Sequence, residues 1–433
     1  MPVSAALSGK RFAVYGLARS GLSALRFLQR SGASVVAWDE AEPARAKALA
    51  EFPGLTLTDF AGLDLSTVDG LVVSPGVPLN RHPLAARARE AGTPILGDME
   101  LWQQARATMP AHRLVGITGT NGKSTTTALI HHLLEQAGVT ARLGGNIGLP
   151  VLDAEPLPAG GVYVVELSSY QIDLARTLAC DVAVYTNLTP DHLDRYDGMA
   201  GYAASKARLF SMQLPGAHAV IATDDDYTRA AAASLPAGIE LVAVSAADVD
   251  PAAQVHWPAL QGPHNAQNVA CAAAAARILG LSDSQIEAGL RSFPGLPHRM
   301  EIVGSVNGVR YVNDSKATNP TSVAPALQAF DHVHWILGGL AKTVELDACL
   351  PHLAHVKAAY VIGQAADLFQ GLLKPYLPVT NAGTLKAAVE AAAAVAQPGD
   401  TVLLSPACAS FDQFSDYEAR GAAFRDVVKA LPQ

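Results

Sequence analysis

LVGITGTNGKSTTTALIHHLL, residues 114–134, is a short apolar run followed by a glycine-containing loop and then by apolar residues at helical spacing. The run from Leu114 to Ile117 predicts a buried strand, and the spacing from Thr125 onward predicts a helix. A strand, a glycine loop and a helix in this order are typical of a phosphate-binding loop, because backbone N–H groups and a helix N-terminus attract an anion. The sequence therefore predicts a nucleoside triphosphate site.

Two side chains of this loop are suited to the chemistry of a triphosphate. Lys123 offers a full positive charge to the outer phosphates, and the hydroxyl of Ser124 is a ligand for Mg²⁺. In the usual pattern, four residues lie between the first glycine and the Gly-Lys pair. Here five residues lie between Gly116 and Gly122, so a plain turn remains the alternative. The candidate nucleotide contacts are Gly119, Thr120, Asn121, Gly122, Lys123, Ser124 and Thr125.

Composition limits the class of protein. Half of the 433 residues are hydrophobic and 16% are charged, which permits large buried cores, and the length suggests roughly two to four domains. A net charge of −8 makes nucleic acid an unsuitable main partner. The four cysteines lie far apart, and neither a signal peptide nor an apolar run long enough for a bilayer is present. We expect a cytoplasmic protein without membrane insertion.

The N-terminal segment predicts a Rossmann-like unit. Residues 11–39 read as strand, glycine turn, helix and strand, and Asp39 ends the second strand. The turn is close to a dinucleotide-binding fingerprint, but Ala18 occupies the position of its middle glycine, where a methyl group hinders the approach of a pyrophosphate. A modified nucleotide site and a plain turn both remain open.

Polar side chains follow several predicted strands of the central segment. A strand at Val162–Val165 delivers Glu166, which is placed to hold Mg²⁺ beside a phosphate loop. A later strand leads to His192, and a helix over Tyr202–Phe210 carries Lys206. A glycine-rich loop at residues 144–148 and the first turn of an alanine-rich helix contain two further candidates, Asn146 and Asn268.

The C-terminal segment predicts a further α/β domain. An Asn307-Gly308 turn joins two strands into a hairpin, and the second strand leads into residues 314–320. Loops at residues 338–342 and 405–412 also follow predicted strands, where ligands bind in open α/β sheets. We therefore expect an α/β protein of three domains: a Rossmann-like domain over residues 1–97, a phosphate-loop domain over 98–295 and a Rossmann-like domain over 296–433.

Eight motifs together resemble those of the Mur ligases over nearly the whole chain. They are GTNGKS (119–124), GGNIG (144–148), ELSSYQ (166–171), DHLDRY (191–196), HN-x-x-N (264–268), GLPHRME (295–301), NDSKATN (313–319) and LSPACASFDQF (404–414). The resemblance implies ATP-dependent addition of D-glutamate to UDP-N-acetylmuramoyl-L-alanine through an acyl phosphate, during peptidoglycan synthesis. It also implies closure of the third domain on the second, which excludes water from the intermediate.

The same resemblance implies roles for particular residues. Lys123, Glu166, His192 and Lys206 would be catalytic, and Ser124, Glu166, His192 and Lys206 would hold two Mg²⁺ ions, with Lys206 carbamoylated. Asn268, Arg299, Asp314 and Lys316 would bind ATP beside the phosphate loop. The UDP substrate would be bound by Gly16, Leu17, Ala18, Arg19, Asp39, Gly76 and Asn146, and D-glutamate by Thr318, Lys342, Ser410 and Phe411. The partners would be these small molecules, and the protein a monomer.

Three other functions remain open at this point. A nucleotide-dependent dehydrogenase would explain residues 11–39 but would not explain the phosphate loop. A non-catalytic nucleotide-binding module would explain the loop but not the polar strand ends of two further domains. A related Mur or folylpolyglutamate-type ligase that uses another amino acid is the strongest alternative.

Overall fold

The first of three α/β sheets is formed by the N-terminal part of the chain. The structure is a computed structural model that describes residues 1–432. The five strands are parallel in the order β3-β2-β1-β4-β5. They are β1 (Arg11–Tyr15), β2 (Ser34–Trp38), β3 (Thr56–Leu57), β4 (Gly70–Val73) and β5 (Ile95–Leu96). The helices are α1 (Arg19–Arg30), α2 (Glu42–Glu51), α3 (Pro83–Glu90) and α4 (Asp98–Ala105).

The βαβ unit predicted over residues 11–39 is confirmed. Its helix α1 begins at Arg19. A Cβ atom on Gly21 would lie 1.8 Å from the backbone oxygen of Gly16, so only glycine allows this close packing of helix on turn. The third glycine of the fingerprint therefore serves helix packing, as the fingerprint requires.

The central sheet has six parallel strands in the order β11-β10-β9-β6-β8-β7. They are β6 (Arg113–Thr118), β7 (Ala141–Gly145), β8 (Val162–Glu166), β9 (Val182–Tyr185), β10 (His218–Ala222) and β11 (Glu240–Val244). The helices are α5 (Lys123–Gln136), α6 (Ser169–Asp173), α7 (Gly198–Ser211), α8 (Asp226–Ala233), α9 (Pro251–Gln254), α10 (Pro263–Ile278) and α11 (Asp283–Ser292). Because β6 lies between β8 and β9, the loops that follow these three strands lie side by side.

The third sheet is mixed and has the order β12-β13-β17-β14-β15-β16. Only β12 and β13 pair antiparallel; they form the predicted hairpin around Asn307 and Gly308, both with positive φ. The strands are β12 (Glu301–Val306), β13 (Val309–Asn313), β14 (Val333–Gly338), β15 (Val356–Ile362), β16 (Val379–Gly383) and β17 (Thr401–Leu404). The helices are α12 (Pro320–Ala329), α13 (Ala366–Leu373), α14 (Leu385–Val395) and α15 (Tyr417–Lys429).

The predicted α/β architecture of three domains is confirmed. By contacts the chain divides into two compact units: residues 1–250 with 267–290, and residues 251–266 with the chain from 291 onward. Buried apolar side chains from strands and helices form the core of each unit. Within residues 1–432, every helix is too short or too polar to span a lipid bilayer.

Candidate active site

The loop between β6 and α5 has the geometry of a phosphate-binding loop. Gly119 and Gly122 have φ angles of +146° and +80°, which side chains rarely adopt. A Cβ atom on Gly119 would lie 2.0 Å from Oγ1 of Thr186, and one on Gly122 would lie 2.1 Å from Oδ1 of Asn268. Helix α5 begins at Lys123, two positions before the predicted Thr125, so Lys123 and Ser124 lie in its first turn.

The end of β9 holds this loop in place. Asn187 accepts hydrogen bonds from the backbone N–H of Thr120 at its backbone oxygen and from that of Asn121 at Oδ1, both at 2.9 Å. Thr186 donates its hydroxyl to the backbone oxygen of Asn121 at 2.7 Å. On the other side, Thr126 donates to Oδ1 of Asn268 at 3.2 Å. The loop is therefore held by residues that follow β9, and the start of α5 is held by Asn268.

The expectation that Asn268 lies on the first turn of its helix is wrong. Helix α10 begins at Pro263, so Asn268 is on the second turn. The helix starts before its alanine-rich stretch because proline is well suited to a first helical position, where it has no N–H to lose. Its place beside Gly122 puts Asn268 at the phosphate loop, away from the helix end.

Two lysines reach backbone oxygens of the loop. Nζ of Lys123 donates to the oxygen of Thr120 at 2.7 Å, and Nζ of Lys206 donates to that of Gly119, also at 2.7 Å. Lys206 is buried, with 1% of its surface exposed, and its Nζ lies 4.6 Å from the ring centroid of Tyr202. Burial, together with the positive charge of Lys123, lowers the pKa of Lys206 well below its usual value. Its amine is thus more readily neutral than that of a surface lysine.

Glu166 is the last residue of β8, beside the loop, and it is 2% exposed. Its Oε1 accepts a hydrogen bond from Nδ2 of Asn146 at 2.8 Å, whereas its Oε2 is buried and has no partner. A carboxylate oxygen buried without a partner is costly unless a cation or a donor meets it. Glu166 and Asn146, which were predicted separately, are thus brought together.

These residues fit a bound Mg²⁺ ion. In residues 1–432, no group of three or more His, Cys, Asp or Glu side chains is arranged to hold a metal. Mg²⁺ needs no such group, because it keeps several waters and binds one or two carboxylates together with substrate phosphates. The unpartnered oxygen of Glu166 is an oxygen donor of this kind, and the buried Ser124 in the first turn of α5 supplies a hydroxyl.

His192 has an unusual backbone conformation for a residue with a side chain, with φ of +53°. Backbone strain of this kind concentrates at functional sites. Its ring lies 5.0 Å from that of Tyr170 and 6.2 Å from that of Tyr202 between centroids. Burial lowers the pKa of His192, opposed by the carboxylate of Asp191, which favours the neutral imidazole that binds metals.

A cavity of about 390 Å³ lies beside the first turn of the N-terminal sheet. Six predicted substrate residues line it: Gly16, Ala18, Arg19, Asp39, Gly76 and Asn146. Leu17, also predicted, does not line it; its side chain is buried, and its backbone N–H donates to Oδ2 of Asp39 at 2.6 Å. The other oxygen of Asp39 accepts the N–H of Ala41 at 2.8 Å, so this carboxylate is held rigidly at the cavity.

Several residues of this cavity were missed by the sequence analysis. The polar ones are Ser20, Ser74, Asp98 and Gln171. Gln171 belongs to the ELSSYQ motif and Ser74 to the Ser-Pro-Gly turn after β4, so both stood in stretches with a visible signal. Asp98 gave no signal of a binding site in the sequence, because an acidic residue at the start of a helix commonly stabilises that helix.

In the second unit, the residues predicted for ATP lie where β13 ends. Asp314 accepts hydrogen bonds from the hydroxyl of Ser405 at 2.7 Å and from the N–H of Met300 at 3.1 Å. Burial raises the pKa of Asp314 to about 7, against the effect of these donors and of Arg299. Nζ of Lys316 lies 5.2 Å from the ring centroid of Tyr417.

The residues predicted for D-glutamate lie on three neighbouring loops of the second unit. Nζ of Lys342 donates to the hydroxyl of Thr318 at 3.4 Å. Leu340 and Ala409 exchange two backbone hydrogen bonds, at 2.9 and 3.0 Å, which joins the loop of Lys342 to that of Ser410 and Phe411. Ser410 is buried, whereas 70% of Phe411 is exposed.

Three family models match the chain, each over one of the three sheets. A MurD-like N-terminal domain of the Mur ligases matches residues 10–97, a Mur ligase middle domain matches residues 117–257, and a Mur ligase glutamate ligase domain matches residues 298–408. The phosphate loop and the loop of Lys342 lie within these matches, whereas β6 begins before the second match and Ser410 and Phe411 follow the third.

Curated relatives match the chain over its full length. Proteins named UDP-N-acetylmuramoylalanine–D-glutamate ligase are 58% identical in Sphingopyxis alaskensis, over 100% of both chains, and 58% identical in Novosphingobium aromaticivorans, over 100% of this chain and 97% of the relative. The protein of the same name from Zymomonas mobilis is 52% identical over 100% of both chains.

Solved structures share the fold at much lower identity. A UDP-N-acetylmuramate-alanine ligase from Thermotoga maritima is 16% identical, covers 97% of this chain and 99% of its own, and has a TM-score of 0.57. A UDP-N-acetylmuramoyl-L-alanyl-D-glutamate–2,6-diaminopimelate ligase is 19% identical, covers 86% of this chain and 95% of its own, and has a TM-score of 0.55. With the family models and the full-length relatives, they lead to one conclusion: the chain belongs to the Mur ligase family.

Proposed function

We propose that the chain is an ATP-dependent ligase that joins D-glutamate to UDP-N-acetylmuramoyl-L-alanine during peptidoglycan synthesis. One observation carries this proposal: relatives that bear this name match the chain over its full length at 52–58% identity. The phosphate loop, the cavity of the N-terminal sheet and the polar loops of the third sheet offer a place for each of the three substrates.

The reaction has two steps. An oxygen of the alanine carboxylate attacks the γ-phosphorus of ATP, ADP leaves, and an acyl phosphate forms. The amine of D-glutamate then attacks the acyl carbon, loses a proton and expels phosphate, which leaves an amide. Negative charge accumulates on the transferring group, so stabilisation by fixed cations is the main contribution the protein can make.

In this proposal Lys123 contacts the outer phosphates, together with the N–H groups at the start of α5. Ser124 and Glu166 hold Mg²⁺, which neutralises phosphate charge when it is bound. The unpartnered Oε2 of Glu166 supports this role. Asn268 serves ATP beside the loop, and its contact with Gly122 supports that assignment.

We also propose that Lys206 is carbamoylated and, with His192, holds a second Mg²⁺ ion. A neutral amine attacks the carbon of CO₂ and loses a proton, which gives an anionic carbamate. The burial of Lys206 and its lowered pKa support this reaction, because they favour the neutral amine. Asn146 orients Glu166 and lines the adjoining cavity, which suits a contact with the substrate carboxylate.

The remaining residues are assigned by the place each takes in its own unit. The cavity of the N-terminal sheet receives the UDP end of the substrate, through Gly16, Ala18, Arg19, Asp39 and Gly76, and Leu17 contributes by fixing Asp39 with its backbone N–H. Arg299, Asp314 and Lys316 serve ATP, and Thr318, Lys342, Ser410 and Phe411 serve D-glutamate. We propose domain boundaries at residues 97 and 295, and the three family matches at 10–97, 117–257 and 298–408 are compatible with them.

We further propose that the protein acts as a monomer in the cytoplasm. The four cysteines are buried and unpaired, and free cysteines are typical of a reducing compartment.

Phosphate release from ATP tests this function. We expect turnover with UDP-N-acetylmuramoyl-L-alanine and D-glutamate, and little with L-glutamate, meso-diaminopimelate or D-glutamine, because donors that pair a carboxylate reject analogues that leave them unpaired. Lys342→Ala should raise KM for D-glutamate, whereas Lys386→Ala, on the exposed face of α14, should not. Faster turnover with L-glutamate or diaminopimelate would instead identify a related ligase for another amino acid.

A further inference from the structure

Arg420 is a buried cation that none of the assignments above uses. It lies in the first turn of α15, and only 1% of its surface is exposed. Its Nε donates to the hydroxyl of Ser315 at 3.0 Å, and its Nη2 donates to the backbone oxygens of Ser315 at 2.8 Å and of Cys408 at 3.0 Å. The guanidinium group thus joins the loop after β13 to the loop after β17.

A third loop lies against the same side chain. A Cβ atom built on Gly339 would be 3.2 Å from Nη1 of Arg420, so the backbone after β14 passes close to the guanidinium group. Leu340, the next residue, is bonded to Ala409 in both directions. Arg420 therefore underlies all three loops that carry Thr318, Lys342 and Ser410.

Arg420 makes its hydrogen bonds to uncharged groups. Its three hydrogen-bond acceptors are two backbone oxygens and a hydroxyl, and Nη1 is buried with no partner. Burial lowers the pKa of Arg420 to about 10, so the group still carries its proton at pH 7. The carboxylate of Asp412, on the loop that carries Ser410 and Phe411, opposes this effect of burial on the pKa of Arg420.

We propose that Arg420 is a positioning residue for the amino-acid substrate: it fixes the three loops relative to one another and so holds Thr318, Lys342 and Ser410 in place for a dicarboxylate amino acid such as glutamate. This inference rests on the proposed function. It concerns the second unit alone, because every residue in it belongs to that unit.

The test compares variants at two arginines of the same helix. Arg420→Met removes the guanidinium group and its charge. Arg420→Lys keeps a positive charge but loses the hydrogen-bonding geometry of the guanidinium group. Arg425→Met is the matched control, because Arg425 is also on α15 but makes its hydrogen bonds to Glu301, at 2.8 Å, and none to the three loops. KM for D-glutamate and for UDP-N-acetylmuramoyl-L-alanine are measured by phosphate release, and each variant's melting temperature is recorded.

We expect Arg420→Met to raise KM for D-glutamate about tenfold or more, the size expected when charge-assisted hydrogen bonds are lost, and to leave KM for the UDP substrate within about twofold. Arg420→Lys should lie between Arg420→Met and the wild type. If Arg420 had a purely structural role, Arg420→Met would change both KM values equally, or would change them in the same way as Arg425→Met does. Either result would overturn the proposal.

Two further outcomes are decisive. If neither Arg420 variant folds, Ser315→Ala removes one acceptor without burying a new group, and an unchanged KM for D-glutamate in that variant overturns the proposal. If the wild-type protein does not turn over D-glutamate, the proposed function fails and this inference fails with it. Normal wild-type turnover with unchanged Arg420 variants rejects only the role of Arg420.

Discussion

Lys123 and Lys206 both donate to the phosphate loop, but they differ in their surroundings. Lys123 is half-buried at the start of α5, where its charge adds to the positive end of the helix. Lys206 is buried against Tyr202, where a charged amine is poorly solvated. One lysine is therefore suited to contact phosphate as a cation, and the other to react as a neutral amine.

Lys123→Ala should abolish ligation and leave the protein folded. The substitution removes the fixed positive charge that Lys123 places beside the transferring phosphate. Such a charge stabilises the transition state by an amount on the order of several kcal/mol. Turnover is measured by phosphate release, and circular dichroism checks the fold. Lys47→Ala, at an exposed position of α2, is the control. Turnover close to that of the wild type in Lys123→Ala would exclude the phosphate-loop assignment.

Lys206 should carry one added CO₂ in protein handled gently in bicarbonate. Because the carbamate forms from the neutral amine, the adduct should persist at alkaline pH and disappear on acidification. Intact-protein mass spectrometry measures it, and Lys206→Arg, which lacks this amine, should show no adduct. An active preparation in which Lys206 is unmodified would contradict the assignment.

Neither the burial of Lys206 nor the contact of Asn268 with Gly122 follows from a local pattern. A lysine in a helix is most often solvated, and residues alone gave no reason to place this one in the interior. Asn268 and Gly122 are far apart along the chain, and only the packing of α10 beside α5 brings them together. The phosphate loop, in contrast, was predictable because strand, glycines and helix are adjacent in sequence.

At the scale of the elements, the starts of β14, β15 and β17 meet in a buried ionic cluster. Asp400, just before β17, is 3% exposed and accepts hydrogen bonds from Lys357 at 2.6 Å and from the N–H of Gln397 at 2.9 Å. Nε2 of His334 lies 3.1 Å from its second oxygen. Three neighbouring strands are thus joined at their N-terminal ends, whereas the polar loops follow the C-terminal ends of strands.

This cluster should make the stability of the second unit depend on pH. Burial would raise the pKa of Asp400, but the donors from Gln397, Lys357 and His334 outweigh burial and lower it from 3.8 to about 2. A lowered pKa means that the ionised carboxylate stabilises the fold above about pH 4 and that this contribution is lost as the pH falls toward 2.

Asp400→Asn should therefore lower the melting temperature at pH 7, by an amount on the order of 1 kcal/mol of unfolding free energy once solvent screening is considered. The difference from the wild type should shrink below pH 4. Asp331→Asn is the control, since Asp331 pairs with His355 on the surface. Equal melting temperatures for Asp400→Asn and the wild type at pH 7 would refute this role of the cluster.

The prediction from the sequence missed strands at the edges of the sheets. β11 and β16 have mostly exposed or half-exposed residues, and β3 has two residues. Such strands lack the apolar run or alternation by which a strand is predicted. β10 has a buried apolar run and was missed as well. The glycine-rich loop predicted at residues 144–148 also differs, because Gly144 and Gly145 belong to β7 and pair with β8.

At the scale of the whole molecule, the proposed function assigns recognition of the uridine nucleotide to the N-terminal sheet. Its sheet and its first turn resemble those of dinucleotide-binding proteins, but Ala18 lines the cavity at the place of a glycine. Asp39 is fixed by the N–H groups of Leu17 and Ala41 at the same cavity. A methyl group in the turn hinders a pyrophosphate that lies against the backbone.

We expect calorimetry to show binding of a UDP-sugar and none of NAD⁺. Ala18→Gly should leave binding of the UDP-sugar intact. Removing the methyl group helps only a ligand whose pyrophosphate lies against the backbone of this turn, as that of a dinucleotide does. Tight binding of NAD⁺ without binding of the UDP-sugar would favour a dehydrogenase and contradict the proposed function.

The hydrogen bonds from Thr120 and Asn121 to Asn187 have a consequence for measurements in solution. These two amides are already bonded within the protein, so their exchange with deuterated solvent is slowed before any nucleotide arrives. Protection of these amides therefore reports whether the end of β9 is in place. Occupancy of the phosphate loop has to be read from other amides.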